Sequence, residues 1–438
     1  MKRRTWFDWH SWIGLTTGLL LFVVCWSGAF AVFSRELDWV VEPAERAAVA
    51  TDRAIPWALI ETNAAAARPG WQVEQLNAPY APGFAVEAWV RAPDDTMGRV
   101  FLDPASGEVL GVSTYFNLQR FFRSLHMSLF IGEWRIWGIP FGYLVVALLS
   151  LPLLAQLLTG LVFYRRFWRG FFHLERRKGA KVFWSDAHKL MGVWAIWFVL
   201  LMGATGVWYL AEWKVTSEPW EPEPPGAASA APRPLAELLP LAQAAYPELT
   251  IRQVALYGRA DGLVAFHGQD GSLLLRDRAA RVWLDAGTGR VLGVRRPGEM
   301  TPLHRWIDTA DPLHFGDFAG LWSKAIWFVF GLALSAMCLT GAYLQAKRQA
   351  RGRGLDRRAL HAAHVTTAAI LLCAAGWAVK EIAGYGGGAL PEAAAGVWIV
   401  IALFVGGTLV ALAWWVAAVS RVPLTPDRLR QADVAAAE

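Results

Sequence analysis

Six apolar runs, at about residues 12–33, 138–164, 189–211, 321–345, 364–383 and 395–419, constrain this chain more than any other feature. A helix rising about 1.5 Å per residue needs roughly 20 apolar residues to cross a hydrocarbon layer, where every backbone N–H and C=O must be paired within the segment. The runs therefore predict a polytopic α-helical membrane protein with six transmembrane helices, the second long enough to tilt or project. Lys2-Arg3-Arg4 followed by apolar residues resembles the start of a signal peptide, but Trp12 to Phe33 is of spanning length and reads as an uncleaved first helix. Many of the 25 tryptophans flank the runs, including Trp6, Trp9, Trp12, Trp134, Trp137, Trp322 and Trp415, as expected of interface anchors.

Basic residues set the orientation. Lys2 to Arg4, Arg165 to Lys181, Lys347 to Arg358 and Arg421 to Arg430 are rich clusters that alternate with poorer loops, so both termini are expected to be cytoplasmic. The net charge of +6 is spread over these short clusters and reports topology, which excludes nucleic acid as a partner. The long polar segments, about 34–120 and 213–312, then share the outer face. The chain divides into a first helix (1–33), an outer module (34–120), a motif with the second helix (121–170), a basic loop (171–187), a third helix (188–212), a linker with a second module (213–300), a motif with the fourth helix (301–346), a basic loop (347–360), the fifth and sixth helices (361–420) and a cytoplasmic tail (421–438).

Within about residues 1–346 this order is one unit given twice. Asp8-Trp9-His10 with Gly14 and Ser27-Gly28 matches Asp186-Ala187-His188 with Gly192 and Thr205-Gly206, with 18 residues from His to the last Gly in both copies. Each outer segment opens with a Pro-containing linker, the second being Ser217 to Gly226, then a helix-like stretch (about 56–67 and 234–245), then alternating strand-like sequence. The endings Val100 to Val112 and Val282 to Val294 match closely, and their Asp103-Pro-Ala-Ser-Gly and Asp285-Ala-Gly-Thr-Gly turns predict hairpins within small α+β modules. Leu125-His126 and Leu313-His314 follow the modules, and the helices after them carry Leu158-Thr159-Gly160 and Leu339-Thr340-Gly341.

Four histidines thus recur in register, His10 and His188 at one membrane level, His126 and His314 at the other. Imidazole near lipid is costly, and a repeated costly residue points to a task. Two imidazoles from different helices at one depth are what a haem in a helical bundle requires, and here there are two such pairs. With no Cys-x-x-Cys-His, and Cys25, Cys338 and Cys373 all inside apolar runs, the haem expected is b type, two per chain. Gly14, Gly18, Gly28, Gly160, Gly192, Gly203, Gly206 and Gly341 either admit a flat macrocycle or allow close helix packing. Asp8 and Asp186 either accept the second imidazole N–H or cap their helices. Arg120, Arg123 and Arg305 either pair with haem propionates or snorkel at the interface. His361 and His364 open the fifth helix and are alternative ligands at the level of His10. His304 is a candidate for substrate or proton transfer, and His173 and His267 read as solvated. No zinc cluster, nucleophile elbow, phosphate loop or dinucleotide fingerprint is present, so the electron donor is expected to be a separate quinol or cytoplasmic reductant.

Asp8-x-His10, Leu125-His126, Arg165-Arg166-Phe167-Trp168, Asp186-x-His188-Lys189 and Pro312-Leu313-His314-Phe315-Gly316-Asp317-Phe318 resemble the PepSY-associated transmembrane helix family, over about residues 5–346. This family includes bacterial siderophore-iron reductases such as ferrioxamine reductase. The resemblance implies a duplicated four-helix haem-binding core, two periplasmic PepSY-like modules, an inner-membrane location and reduction of an imported ferric chelate. The fifth and sixth helices lie beyond that core. The expectation is a dihaem oxidoreductase that passes electrons from His10 and His188 to His126 and His314 and on to a periplasmic ferric siderophore, releasing Fe(II). Two alternatives stay open: a non-enzymatic scaffold or regulator whose modules bind periplasmic partners or peptidases, and a dihaem carrier with a non-iron acceptor.

Overall fold

Starved of water to bond, the apolar runs close their own backbone hydrogen bonds and form helices. The computed structural model describes residues 2–48, 54–215, 224–226, 231–349 and 357–420. The tail after Ser420, most of the Ser217 to Gly226 linker and part of the Lys347 to Arg358 cluster lie outside the described residues. Helix α1 (Arg3–Val32) passes through Phe33 into the short α2 (Ser34–Val41). Then come α3 (Trp57–Ala67) and strands β1 (Gln72–Asn77), β2 (Val86–Arg91), β3 (Met97–Leu102) and β4 (Val109–Thr114). The amphipathic α4 (Leu118–Ser128) follows, then a ribbon of β5 (Arg135–Ile136) and β6 (Ile139–Pro140). The next apolar span is α5 (Phe141–Leu148) and α6 (Ser150–Phe163), interrupted at Leu149 because Pro152 has no N–H for the Leu148 carbonyl.

The third span differs from its sequence reading. It begins nine residues early and breaks at Ala195 into α7 (Ala180–Trp194) and α8 (Ile196–Val215), bent by 62°. No proline marks the break; Ala195 is sealed among Phe198, Val199, Trp327 and Leu334, and tertiary packing overrides local propensity. The second half of the chain then repeats the first: α9 (Leu235–Ala245), β7 (Thr250–Ala255), β8 (Leu263–Gln269), β9 (Ala280–Asp285), β10 (Val291–Arg295), α10 (Pro302–Phe315) and α11 (Gly320–Gln349). Helices α12 (Arg357–Tyr385) and α13 (Ala395–Ser420) complete the described chain. Among the described residues five helices are long and apolar enough to cross a membrane, and the α7–α8 pair makes a sixth if it is one span.

Helix α1 is the axis of the bundle, packed between α6 and α11, with α12 and α13 along another side. It packs tightly on α11, where a Cβ on Gly331 would sit 2.9 Å from the Ala29 methyl. Helix α8 packs on α6 and α7 on α11, closing the four-helix core.

The two polar segments do not stay apart. They form one antiparallel eight-stranded sheet in the order β10-β9-β8-β7-β1-β2-β3-β4, joined where Leu76 pairs with Val254 and Asn77 with Gln253. Helices α3 and α9 cover one face, and Trp57, Ile60, Leu76, Leu235, Leu238, Val254 and Val282 share a single core across the junction. The duplicated turns are chemically alike. Asp103 Oδ1 accepts from the Ala105 and Ser106 amides and Asp285 Oδ1 from those of Gly287 and Thr288, while Gly107 and Gly289 take left-handed φ of 72° and 75°. His267, read as solvated, is instead buried in β8 between Gln253 and Arg281, and burial holds its pKa down at about 3.

The other face of the sheet meets the bundle through buried charge. Asp38 on α2 accepts hydrogen bonds from the Leu118 and Gln119 amides at 2.7 and 2.9 Å, capping α4. Arg99, only 2% exposed, pairs with Glu45 at 2.9 Å and Glu87 at 3.5 Å. These groups line a small cleft of about 60 Å³. One guanidinium faces three carboxylates here, so burial dominates and pushes Glu45 up to about 8 and Asp38 up to about 6. On the other half, Arg295 reaches Asp308 of α10 at 2.5 Å and Arg276 reaches Asp311 at 2.9 Å.

Candidate functional site: two anchored histidine pairs

Each half of the duplication contributes one histidine to each pair. His10 sits in the third turn of α1, with Nδ1 at 3.0 Å from the Gln156 carbonyl and 3.1 Å from Thr159 Oγ1 on α6. His188 sits within α7, with Nδ1 at 2.9 Å from Thr340 Oγ1 on α11. His10 lies at the end of α1 away from α2 and the sheet, and His188 is near enough to feel its charge, so these two are the pair farther from the sheet. Nearer the sheet, His126 Nδ1 lies 2.9 Å from the Val24 carbonyl on α1, and His314 Nδ1 lies 2.8 Å from Thr205 Oγ1 on α8. The His126 and His314 ring centroids are 6.2 Å apart, with ring planes at 38°.

The hydrogen-bond network fixes all four tautomers. A carbonyl only accepts, so His10 and His126 carry their proton on Nδ1. The Thr340 and Thr205 hydroxyls spend their hydrogens on the Ala336 and Leu201 carbonyls at 2.8 Å each, so their oxygens accept from Nδ1–H of His188 and His314. Every ring therefore keeps a Nε2 lone pair, and among the described residues no hydrogen bond engages it. That arrangement is the one a metal-ligating imidazole adopts, with the second nitrogen tied down to orient the ring and raise its basicity.

The proximal histidines are not on the spanning helices themselves. His126 occupies the last turn of α4 and His314 the last turn of α10, each followed by a left-handed residue, Leu129 (φ 50°) and Gly316 (φ 71°), before the span. The sequence placed both at span ends and did not separate these amphipathic helices. It also missed the threonines: Thr159, Thr340 and Thr205 are part of the recurring Thr-Gly pairs, and that recurrence was their signal. Tyr209 stacks edge-on to His314 at 5.2 Å and donates to Asp311, one turn before His314, at 2.8 Å. Asp311 in turn holds Arg276, so a polar chain runs from this histidine to the sheet.

The roles expected of Asp8 and Asp186 are corrected. Asp8 pairs with Arg348 and Arg4, and Asp186 with Lys189 and His173; neither touches its histidine, and neither is an N-cap, since α1 and α7 begin well before them. Gly28 makes room for the His126 ring, and Gly160 and Gly341 face His10 and His188. Gly14, Gly18, Gly192, Gly203 and Gly206 face side chains of neighbouring helices, where they allow close packing. Arg120 lies on the Tyr115 ring at 3.3 Å, while Arg123 and Arg305 are exposed and reach no histidine. His304 is half-buried at the first turn of α10, its amide taken by the Thr301 hydroxyl. His364 faces the backbone of Leu15 from α12 and His361 is exposed, so neither enters the His10–His188 pair.

A helical bundle that carries two anchored histidine pairs beneath a β-sheet defines a multi-pass membrane protein built by internal duplication. The chain belongs to the PepSY-associated TM region family, whose model matches residues 7–348. It is also similar to an uncharacterized protein of Pseudomonas aeruginosa, at 28% identity over 296 residues, covering 59% of this chain and 73% of the relative.

Proposed function

We propose that the chain is an inner-membrane b-type dihaem oxidoreductase, with both termini cytoplasmic and the sheet in the periplasm. The observation that carries the reading is the four Nδ1-anchored imidazoles with bare Nε2 atoms, arranged as two pairs. Two imidazoles can hold one metal only if both rings lie within a few ångströms of it. The 6.2 Å separation of His126 and His314 fits that requirement. His10 and His188 would hold one haem, His126 and His314 the other, each supplying a one-electron Fe(III)/Fe(II) couple when bound.

The residues of the chain then do four things. The threonine and carbonyl acceptors orient the ligands. The apolar helices keep water from the pairs, and two levels divide a roughly 30 Å barrier into shorter transfers. The sheet and its charged underside present the proximal pair to the periplasm. The acceptor proposed is a ferric siderophore or another ferric chelate, because reduction to Fe(II) weakens hard-oxygen ligation and releases the metal. Purified protein is expected to show a b-type Soret band and to lose it when His188 and His314 are both changed to Ala. Full haem content in that double variant would contradict the reading, and dithionite-reduced protein that fails to reduce any ferric chelate would move the acceptor elsewhere.

A further inference from the structure

The family match ends at residue 348, and α12 and α13 lie beyond it. Apart from the Glu381 contact with Ser124 at the sheet side, their polar residues meet the core beside the first half of α1. Three buried atoms there have no hydrogen-bond partner among the described residues: Nε2 of His364 on α12, Oε1 of Gln345 on α11 and Nε1 of Trp415 on α13. Gln345 continues the α11 seam that faces α1, which runs from Gly331 against Ala29, through Ala342, to Arg348 at Ser11 and Asp8. His364 directs its other nitrogen at the Leu15 backbone. Trp415 lies on Gly18 and shares a cluster with Leu15, Leu19, Ala342 and Leu360. All three border the Asp8 to Leu19 stretch of α1, which carries His10 on its α6 side. An unmatched polar atom within a membrane is costly, and three on one site mark a place that a polar partner completes.

We propose that this site docks the head group of a membrane quinol, the electron donor of the dihaem reading on which the inference rests. A quinol brings two hydroxyl donors, and His364 Nε2 and Gln345 Oε1 are two acceptors. The quinone it becomes has carbonyl acceptors, and the Trp415 N–H is a donor for one of them. The isoprenoid tail of such a molecule belongs in lipid, where α12 and α13 expose Leu372, Val379, Leu403 and Val410. Oxidation of one quinol breaks two O–H bonds and releases two protons and two electrons. A haem held by His10 and His188 would accept those electrons one at a time through its Fe(III)/Fe(II) couple. The protons pass to His364 Nε2 and out through exposed His361, one turn earlier on α12. Leu15 is five residues from His10, about 7.5 Å along the helix axis, so the transfer is short.

The test is photolabelling of the full-length protein in lipid nanodiscs with an azido-ubiquinone analogue, followed by peptide mapping. Label is expected on the first half of α12 and on the peptides around Gln345 and Trp415. It should be about tenfold weaker in His364→Leu and in Gln345→Leu, the loss expected from one hydrogen bond, with the dithionite-reduced spectrum unchanged. Label spread over other helices, or unaltered by both substitutions, would overturn the quinol site. Haem-free protein that still labels at α12 would support the site while contradicting the dihaem reading, and haem-replete protein without label at α12 would contradict the site alone.

Discussion

The two histidine pairs share one tautomer and one anchoring rule, yet they are held in different ways. His10 and His188 sit inside long helices whose position is set by apolar packing across α1, α6, α7 and α11. His126 and His314 ride on short helices whose ends are fixed by charge from the sheet, Asp38 capping α4 and Arg276 and Arg295 gripping α10. The distal pair depends on the bundle alone, whereas the proximal pair joins bundle to sheet. An event at the sheet is therefore expected to act first on the proximal pair.

Breaking the pairs directly gives the largest effect. His188→Ala is expected to remove the distal haem and His314→Ala the proximal one, each halving the haemochrome content while the other spectrum stays intact. A weaker cut uses the difference between the pairs. Asp38→Ala removes the acceptor of the first two α4 amides, leaving the Asn117 cap in place, at a cost of about 1–2 kcal/mol, and is expected to lower haem retention at His126 and His314 only, seen as partial loss of Soret intensity with the distal redox step unchanged. Smaller still is the loss of one anchor: Thr205→Val should weaken the proximal haem and Thr340→Val the distal one, each by roughly 10- to 100-fold, with a rise in that haem's midpoint potential because the imidazole becomes less basic. Equal effects of both threonine variants on both haems would erase the distinction between the pairs.

The subtlest effect is in pH. Glu45 has a folded-state pKa raised to about 8 from the usual 4.5, so the folded sheet binds this proton more tightly than the unfolded chain does. The stability it contributes is complete below pH 4.5 and is lost as the pH rises toward 8. Thermal melts are expected to fall across that window and to flatten in Glu45→Gln. A melt that rises with pH in the native protein would show that Arg99 outweighs burial at this site.

Much of this architecture was legible because it rests on local length and on duplication. Spanning helices announce themselves by apolar runs, and the two hairpins by Asp103 and Asp285 with their Ser-Gly and Thr-Gly turns. The histidine register could be read for the same reason. What was hidden depends on contacts between distant residues. The pairing of β1 with β7, which fuses two modules into one sheet, leaves no mark in either strand. The break at Ala195 follows from packing against Trp327, and the left-handed turn at Leu129 occurs without the glycine that marks its counterpart at Gly316. The threonine anchors were visible as a repeat, but only the fold shows which histidine each one meets.

The central claim is that the four anchored imidazoles ligate iron in two pairs. Electron paramagnetic resonance of the oxidised purified protein, with haemochrome quantification, tests it most directly. The account predicts two b haems per chain, both low-spin with two imidazole ligands, one signal vanishing in His188→Ala and the other in His314→Ala. Protein without haem, a high-spin iron signal in the native chain, or a spectrum unmoved by either substitution would contradict it.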